Sequence, residues 1–593
     1  MKKKVTIYPR VIERIEDWPI YRLSKDRVQF IQEIDDFTFH RLSTRHRKDL
    51  SDLLLKTMYQ ERIRIKEAPW KVDPPNERQF WNRISKKLIK KSLDRDDTEA
   101  REVNEELLRK IIHRYSEEIV GTFQIPTFRF AQRFLTAFFN RIFNAAVGRS
   151  LRAIFRGRRH LYERLNIVGE VDTVRSLFDH GSIVVVPTHS SNLDSILVGY
   201  TMDQIMGLPS FSYGAGLNLY NFGPAAYFMN RLGAYRVDRR KKNPIYLETL
   251  KAMSNLSIRR GVNSLFFPGG TRSRSGELET ELKMGLLGTA VEAQRAMVSA
   301  APRKDAAQPL PDPKGANGMP PQPQVGKEAV FIVPLVICYN FVLEAPFLIE
   351  QHLRSTGKEN YIRLRDEGKS IRSWLRFVWR FFSTTSDITI SVGKPMDVLG
   401  NFVDPLGRSF DRYGNELDIR DYFTSKGGVN EDRQREEEYT KLLAERIAER
   451  YQVENVALSS HLVAHAVFQM LVHQNPKLDL FGILRLPPDD YAFPFGSVEG
   501  VVEQMQQRLV ELEQLGKIRL APELHRHPAD VVREGVQNLG IFHSEKPLLL
   551  NKDGDIISSN FRVLYFYHNR LSSYGLTRAV QWKTEEIEVL KMD

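Results

Sequence analysis

The order of apolar and polar positions divides the 593-residue chain into three regions, which agrees with a chain too long for one core. The first region is charged and mostly helical in pattern. The second alternates short apolar runs with helical patterns, which is typical of an α/β domain. The third becomes polar and helical again. We predict a helical N-terminal region (1–165), an α/β domain (166–400) and a mainly helical C-terminal domain (401–593).

The apolar runs of the middle region predict the strands of the α/β domain. They cover residues 182–187, 234–237, 264–267, 329–337 and 388–392. Residues 299–327 are rich in Ala, Pro, Gln and Gly, so we expect a disordered insertion between two strands. Further on, residues 436–451 and 501–515 have amphipathic helical patterns, and residues 548–570 predict a hairpin around residues 552–554.

The first predicted strand leads into a pair of titratable side chains. His189 follows the strand directly, and Ser190, Ser191 and Asn192 are residues that favour helix starts. Asp194 then falls in the opening turn of a helix, where the backbone amides favour an ionised carboxylate. Positions five apart point in different directions on one helix, so the two side chains meet only if the chain bends between them. An imidazole held by a carboxylate suits a general base, although a His-x4-Asp spacing also occurs by chance.

The charge and the cysteine content of the chain limit the classes of partner and site that we expect. The net charge of +13 indicates an anionic partner, which is a nucleic acid, lipid headgroups or a phosphorylated substrate. No zinc-finger, RNA-binding or basic-zipper signature is present, so we expect no nucleic-acid partner. The single cysteine, Cys338, excludes an intramolecular disulfide and a cysteine metal site. No secretory signal and no apolar run of about 18 residues is visible, so we expect a protein at the cytoplasmic face of a membrane.

Two basic, aromatic stretches favour peripheral attachment to that membrane. Phe130, Phe134, Phe138 and Ile142 recur every four residues among arginines, and residues 371–382 repeat the pattern with two tryptophans. Such helices suit the headgroup region of an anionic bilayer. The alternative is that each helix packs on the core of its own protein.

Basic residues also follow other predicted strands. Residues 233–242 lead from a strand into a basic run, and residues 264–276 lead from a strand into a Gly-Gly-Thr-Arg-Ser-Arg-Ser-Gly loop, with Lys283 after it. Backbone amides, hydroxyls and guanidinium groups of this kind bind phosphate oxygens. The spacing is not that of a P-loop. Because strand ends in an α/β domain share one face, these groups are expected to converge there.

In order, His189 with Asp194, and residues 233–239, 267–273 and 333–335, resemble the four blocks of the glycerolipid acyltransferases. The longer flanks and residues 339–344 are most similar to the membrane glycerol-3-phosphate acyltransferases. The resemblance implies an α/β fold with a central mixed sheet flanked by helices. It also implies transfer of an acyl group from acyl-CoA or acyl carrier protein to the sn-1 hydroxyl of glycerol 3-phosphate, on the inner face of a bacterial membrane. Beyond the acyl co-substrate, no cofactor and no metal is expected.

The resemblance also implies roles for individual residues. His189 would deprotonate the hydroxyl and Asp194 would orient the imidazole. The residues expected to bind substrate are Arg239, Gly270, Thr271, Arg272, Ser273 and Lys283. Two positions depart from the family pattern, because Gly269 stands where glutamate is usual and Arg236 stands where an aromatic residue is usual. Dihydroxyacetone phosphate or lysophosphatidate therefore stay open as acceptors, as does a catalytically silent protein that binds anionic lipid.

Overall fold

The computed structural model describes residues 6–92, 97–147, 165–217, 220, 223–300, 328–356, 388–425, 428–429, 432–540 and 543–582. Most of the predicted insertion (299–327) and the whole second aromatic stretch (371–382) lie outside these residues. The described parts form an α/β sheet structure with helical regions on either side in sequence, which confirms the predicted fold class.

The N-terminal region is helical, as its pattern predicts. Its helices are α1 (Pro19–Lys25), α2 (Arg27–Arg45), α3 (Leu50–Glu67), α4 (Glu77–Ser92), α5 (Asp97–Ile119) and α6 (Ile125–Val147). Helices α2 to α5 bury Phe30, Trp81 and Leu107 in a common core. The same core includes Tyr246 and Leu250 of a helix from the α/β region. The N-terminal helices therefore pack directly on the α/β domain.

The central sheet has seven strands among the described residues. They are β1 (Leu165–Gly169), β2 (Gly181–Pro187), β3 (Ser212–Gly216), β4 (Ala234–Val237), β5 (Ser264–Leu265), β6 (Ala329–Tyr339) and β7 (Ile388–Val392). Their order is β1-β7-β6-β2-β5-β3-β4. Neighbours are parallel except β6 and β7, which are antiparallel. The sheet is therefore mixed, and β2 lies at its centre with every residue buried.

The five predicted strands are present, with three corrections to their ends, of which the first is that β2 begins at Gly181 instead of residue 182. Strand β5 stops at Leu265 instead of residue 267, because Phe267 leaves the sheet to stack on the ring of His189. Strand β6 continues to Tyr339 beyond the predicted end at residue 337, and its Cys338 is a buried free thiol. Strands β1 and β3 are additional. Neither has a continuous apolar run, since β1 lies partly exposed at an edge and β3 reads Ser-Tyr-Gly-Ala-Gly.

The helices that flank the sheet connect its strands. They are α7 (Val171–Leu177), α8 (Asp194–Gln204), α9 (Gly223–Met229), α10 (Pro244–Arg259), α11 (Met284–Ala300) and α12 (Ala345–Thr356). Strands β2, β5, β3 and β4 run parallel, so their carboxyl ends share one edge of the sheet. Helix α8 begins at Asp194, five residues after His189, as predicted.

The C-terminal region is mainly helical, as expected. Its helices are α13 (Arg420–Phe423), α14 (Arg433–Glu454), α15 (Ser459–Gln474), α16 (Leu480–Ile483), α17 (Phe495–Gln514), α18 (Pro528–Gly540) and α19 (Phe561–His568). Its short strands are β8 (Phe402–Val403), β9 (Ser409–Phe410), β10 (Glu416–Leu417), β11 (Thr424–Ser425), β12 (Gly428–Val429), β13 (Val456–Ala457), β14 (Ala492–Phe493), β15 (Arg519–Leu520), β16 (Leu549–Leu550) and β17 (Ile556–Ile557). Strands β16 and β17 pair antiparallel around the predicted turn. Leu462, Phe468 and Phe566 share the largest core with Ile337 and Val392 of the sheet. The boundaries near residues 165 and 400 stay predictions.

Helix α6 packs on the protein by one face and exposes another. Gln132 donates to Asp203 over 2.7 Å, and the hydroxyls of Thr136 and Tyr200 lie 3.1 Å apart, so α6 is bonded to helix α8. Phe130 is 57% exposed. Among the described residues, no helix combines the length and the apolar character needed to cross a membrane.

The exposed face of α6 continues onto helix α9. The ring of Phe130 lies 6.2 Å from that of Phe134 and 6.0 Å from that of Phe228. Phe134 and Tyr227 are each about half exposed. We call Phe130, Phe134, Tyr227 and Phe228 the aromatic patch. It is bordered by the exposed Arg133 and by Arg231, whose guanidinium lies over the Tyr227 ring.

Candidate active site

His189 and Asp194 meet at the carboxyl end of strand β2. The Nδ1 atom of His189 lies 2.8 Å from Oδ2 of Asp194. The backbone amides of Ser190 and Ser191 donate to the same oxygen over 2.6 and 2.9 Å. The chain between the two residues therefore folds around the carboxylate, which supplies the bend that the spacing requires.

The other oxygen of Asp194 is also held. The hydroxyl of Tyr339, the last residue of β6, donates to Oδ1 over 2.5 Å. Burial and the neighbouring Asp194 charge hold the pKa of Tyr339 well above its ordinary value, so the phenol keeps its proton and donates it. Asp194 is fully buried and accepts all of these bonds, which suits an ionised carboxylate. Because Asp194 accepts from Nδ1–H, the Nε2 atom of His189 is left as the basic nitrogen.

The backbone of His189 is fixed as well. Its amide donates to Oε1 of Glu279 over 2.9 Å. Its carbonyl accepts a bond from the Ser273 amide over 2.7 Å. The ring of Phe267 stacks on the imidazole at a centroid distance of 4.2 Å. The position of the ring is thus set by contacts from both sides.

The loop that follows β5 carries most of the predicted substrate-binding residues to His189. The Ser273 amide makes the bond just described, while the Ser273 hydroxyl donates to the carbonyl of Glu277 over 2.8 Å. The Lys283 amide donates to the Pro268 carbonyl over 2.7 Å. Gly270 has a φ of +76°, and a side chain there would meet the Lys283 side chain. Thr271 is exposed in the same turn.

Arg272 reaches the start of helix α8 through a carboxylate. Its Nη1 atom lies 3.3 Å from Oε1 of Glu344, which precedes helix α12. The same carboxylate accepts from the Ser191 hydroxyl over 3.2 Å and from the Asn192 amide over 3.1 Å. The Arg272 side chain is 22% exposed. A guanidinium group therefore lies beside the segment that joins His189 to helix α8, held there by the Glu344 carboxylate.

Arg239 lies at the same edge of the sheet but at a distance. It follows β4, which is three strands from β2, or roughly 14 Å at about 4.8 Å per strand. Its side chain is exposed, and no hydrogen bond or ion pair holds it within the described part of the chain. Strand order therefore brings Arg239 to the catalytic edge without contact to His189.

Two other basic residues of that run, Arg240 and Lys241, pair with carboxylates. Arg240 pairs with Asp238 and Asp73 and lies over the Trp70 ring, and the buried Lys241 pairs with Glu118. Asp73, Glu118 and Asp238 pair with these two side chains, and the assignment of Arg239 to substrate binding stays a prediction. Arg236, which stands where an aromatic residue is usual, donates to Asn230 over 2.6 Å.

The C-terminal region supports the same site. The side-chain amide (Nδ2) of Asn569 donates to the Ser275 carbonyl over 2.9 Å. A side chain at Gly276, where φ is +86°, would lie 2.0 Å from the Phe566 carbonyl oxygen. Arg570 is buried and donates to the Ile337 carbonyl over 3.1 Å. Sequence reasoning found no role for this region, because its contacts to the loop join residues almost 300 positions apart.

Comparison with known proteins agrees with this geometry. Residues 163–303 match the family described as Acyltransferase. The chain is 27% identical over 206 residues to the glycerol-3-phosphate acyltransferase of Shewanella loihica, covering 34% of this chain and 23% of the relative. It is 28% identical over 216 residues to that of Aeromonas hydrophila subsp. hydrophila, covering 36% and 24%.

The chain thus spans about a quarter of the length of these curated relatives. The matched segment includes strands β2 to β5, the His189–Asp194 pair and the loop after β5. Residues 163–303 are thus similar to the Acyltransferase family, and about a third of the chain is similar to glycerol-3-phosphate acyltransferases.

Proposed function

We propose that the chain transfers an acyl group from acyl-CoA or acyl carrier protein to the sn-1 hydroxyl of glycerol 3-phosphate, giving lysophosphatidate. The observation that carries the proposal is the His189–Asp194 pair at the carboxyl end of β2, with Nδ1 committed to the carboxylate. The relatives named glycerol-3-phosphate acyltransferase support the choice of acceptor.

The reaction needs a base and positioned reactants. Nε2 of His189 removes the proton of the sn-1 hydroxyl while the hydroxyl oxygen forms a bond to the thioester carbonyl carbon. The carbon–sulfur bond then breaks, and the thiolate takes the proton from the imidazolium. Asp194 stays ionised and stabilises the imidazolium between these two steps. The thioester is already activated, so no covalent enzyme intermediate is required.

The phosphate would be bound by basic side chains and by the loop that follows β5. These residues are Arg239, Gly270, Thr271, Arg272, Ser273 and Lys283. Arg272 is the best placed, because its partner Glu344 also holds the Ser191 and Asn192 turn beside His189. When a phosphate takes the place of Glu344, the fork of the guanidinium can hold two of its oxygens. Arg239 would reach the same phosphate or the donor's phosphates from β4.

We further propose peripheral attachment to the cytoplasmic face of a membrane through the aromatic patch. Half-exposed aromatic rings bordered by arginines suit the headgroup region of an anionic bilayer. The patch lies on α6, and α6 is bonded to helix α8, which begins with Asp194. Attachment there would bring the catalytic edge close to the source of acyl chains.

Release of CoA thiol from palmitoyl-CoA tests the reaction, with glycerol 3-phosphate and membranes present. We expect release that depends on the acceptor, and His189→Ala is expected to lower turnover about 10²- to 10⁴-fold because the general base is lost. His180→Ala is the matched control, since His180 is exposed at the other end of β2. Activity like that of the wild type in His189→Ala would contradict the assignment.

Competition among acceptors tests the substrate. Glycerol 3-phosphate is expected to be acylated in preference to dihydroxyacetone phosphate and lysophosphatidate when the three are mixed. Preference for dihydroxyacetone phosphate or lysophosphatidate would contradict the assigned acceptor but not the assigned acyl transfer. Lipid binding without any CoA release would instead identify a catalytically silent lipid-binding protein.

A further inference from the structure

Gly269 leaves a space beside the catalytic turn that another residue fills. A Cβ atom built at Gly269 would lie 2.6 Å from Cδ of Glu279 and within 2.9 Å of both its carboxyl oxygens. These are the three atoms nearest to that position. The φ of Gly269 lies outside the left-handed region, so its backbone suits any residue. The Glu279 carboxyl is therefore what excludes a side chain here.

That carboxyl is also the group that holds His189. Oε1 accepts from the His189 amide over 2.9 Å. Oε2 is buried and has no hydrogen-bond partner within the described ranges. Burial raises the pKa of Glu279 to about 8, and the charge of Asp194 acts in the same direction. At neutral pH the group is thus an uncharged carboxyl, which does not add a second buried anion beside Asp194.

We propose that Glu279 is a positioning residue for His189, and that it supplies from residue 279 the carboxyl that the chain lacks at residue 269. The inference rests on the proposed acyl transfer and specifies how the base of that reaction is held. The Ser273 amide binds the His189 carbonyl while Glu279 binds the His189 amide, so one peptide segment is fixed at both ends. The glycine makes room for this carboxyl.

The two positions are predicted to depend on each other. Glu279→Ala removes the acceptor of the His189 amide, and Gly269→Ala pushes the carboxyl away from that amide. Each change is expected to lower kcat/KM about 10- to 100-fold, because a shift of about 1 Å in a catalytic group has effects of that size. Glu279→Gln keeps an oxygen acceptor and is expected to stay within about 3-fold of the wild type.

The decisive variant carries both Gly269→Glu and Glu279→Ala. Alanine at residue 279 removes the carboxyl that lies next to Gly269. Glutamate at residue 269 then places a carboxyl in the same position. We expect kcat/KM to recover at least 5-fold over the better of Gly269→Glu and Glu279→Ala. Independent effects would leave the double variant at least as impaired as the single ones. Gly199→Ala is the control, since a Cβ atom there meets nothing within 4 Å.

Hydrogen exchange of a peptide covering residues 186–192 provides a readout that needs no substrate. In Glu279→Ala the His189 amide is expected to exchange faster, while peptides of α15 keep their wild-type rates, which shows that the fold persists. A folded Glu279→Ala with normal kcat/KM and unchanged exchange would overturn the inference. Absence of CoA release in the wild type would overturn the proposed reaction instead, and the exchange experiment would still test how His189 is held.

Discussion

Asp194 is held by donors from two parts of the chain. The imidazole of His189 and the amides of Ser190 and Ser191 come from the same turn, whereas the Tyr339 hydroxyl comes from the end of β6, 145 positions later. Within the described part of the chain the phenol donates to Oδ1, whereas the donors of residues 189–191 share Oδ2. The phenol therefore fixes the rotation of the carboxylate that orients the imidazole.

Replacing Tyr339 by phenylalanine tests this arrangement. Tyr339→Phe leaves Oδ1 of a buried carboxylate without its donor, so we expect the free energy of unfolding to fall by about 1.5–3 kcal/mol. Turnover should fall more than KM rises, because the imidazole is less well oriented. Urea unfolding and CoA release measure the two effects. Tyr413→Phe is the control, since Tyr413 is 74% exposed, and it should change neither the free energy of unfolding nor the turnover. Equal behaviour of the two variants would contradict the role of Tyr339.

The contact between His189 and Asp194 could be predicted because the two residues are near in sequence. His189 and Asp194 are five positions apart, and their spacing across a predicted strand end indicated the pair. Glu279 and Glu344 bond to the same turn from 90 and 152 positions away, and no local pattern marks them. The absence of a glutamate at Gly269 was visible in the sequence. The position of the Glu279 carboxyl beside Gly269 was not visible in the sequence, because only the fold of the loop brings the two residues together.

At the scale of elements, the central strands were predictable because buried strands have continuous β-branched runs. Strand β3 was not, since its glycines carry no hydrophobic signal. The amphipathic pattern of α6 left two interpretations open. The structure shows that α6 packs on the protein, and its attachment to a membrane stays a prediction. One face of the helix bonds to α8, and Phe130 and Phe134 on another face stay exposed.

The aromatic patch predicts how the chain binds vesicles. Phe130→Ala combined with Phe134→Ala removes two half-exposed rings, so binding to vesicles with anionic lipid should weaken roughly 10- to 100-fold. Sedimentation with vesicles measures this, and activity on soluble substrates should stay nearly unchanged. The control combines Leu406→Ala and Tyr413→Ala, which remove exposed apolar side chains elsewhere. If both pairs weaken binding equally, the patch is not the attachment surface.

At the scale of the whole molecule, the C-terminal helices are part of the structure that holds the site. Leu462 and Phe468 of α15 and Phe566 of α19 share a core with strands β6 and β7. The Tyr567 hydroxyl accepts from the Val342 amide over 2.9 Å, between β6 and the Glu344 carboxylate. The predicted boundary at residue 401 separates an α/β pattern from a helical one. Side chains from the two sides of this boundary nevertheless pack in one core.

Asn569 bonds this region to the loop that follows β5. Asn569→Ala removes the bond to the Ser275 carbonyl, three residues from Arg272. Because one buried hydrogen bond contributes about 1 kcal/mol, we expect KM for glycerol 3-phosphate to rise roughly 5- to 10-fold while kcat changes little. Asn475→Ala is the control, since Asn475 bonds within the C-terminal region to Leu471 and Tyr491. Its KM should match the wild type at a comparable loss of thermal stability. If Asn569→Ala lowers thermal stability without raising KM, the C-terminal region supports the fold and does not position the loop.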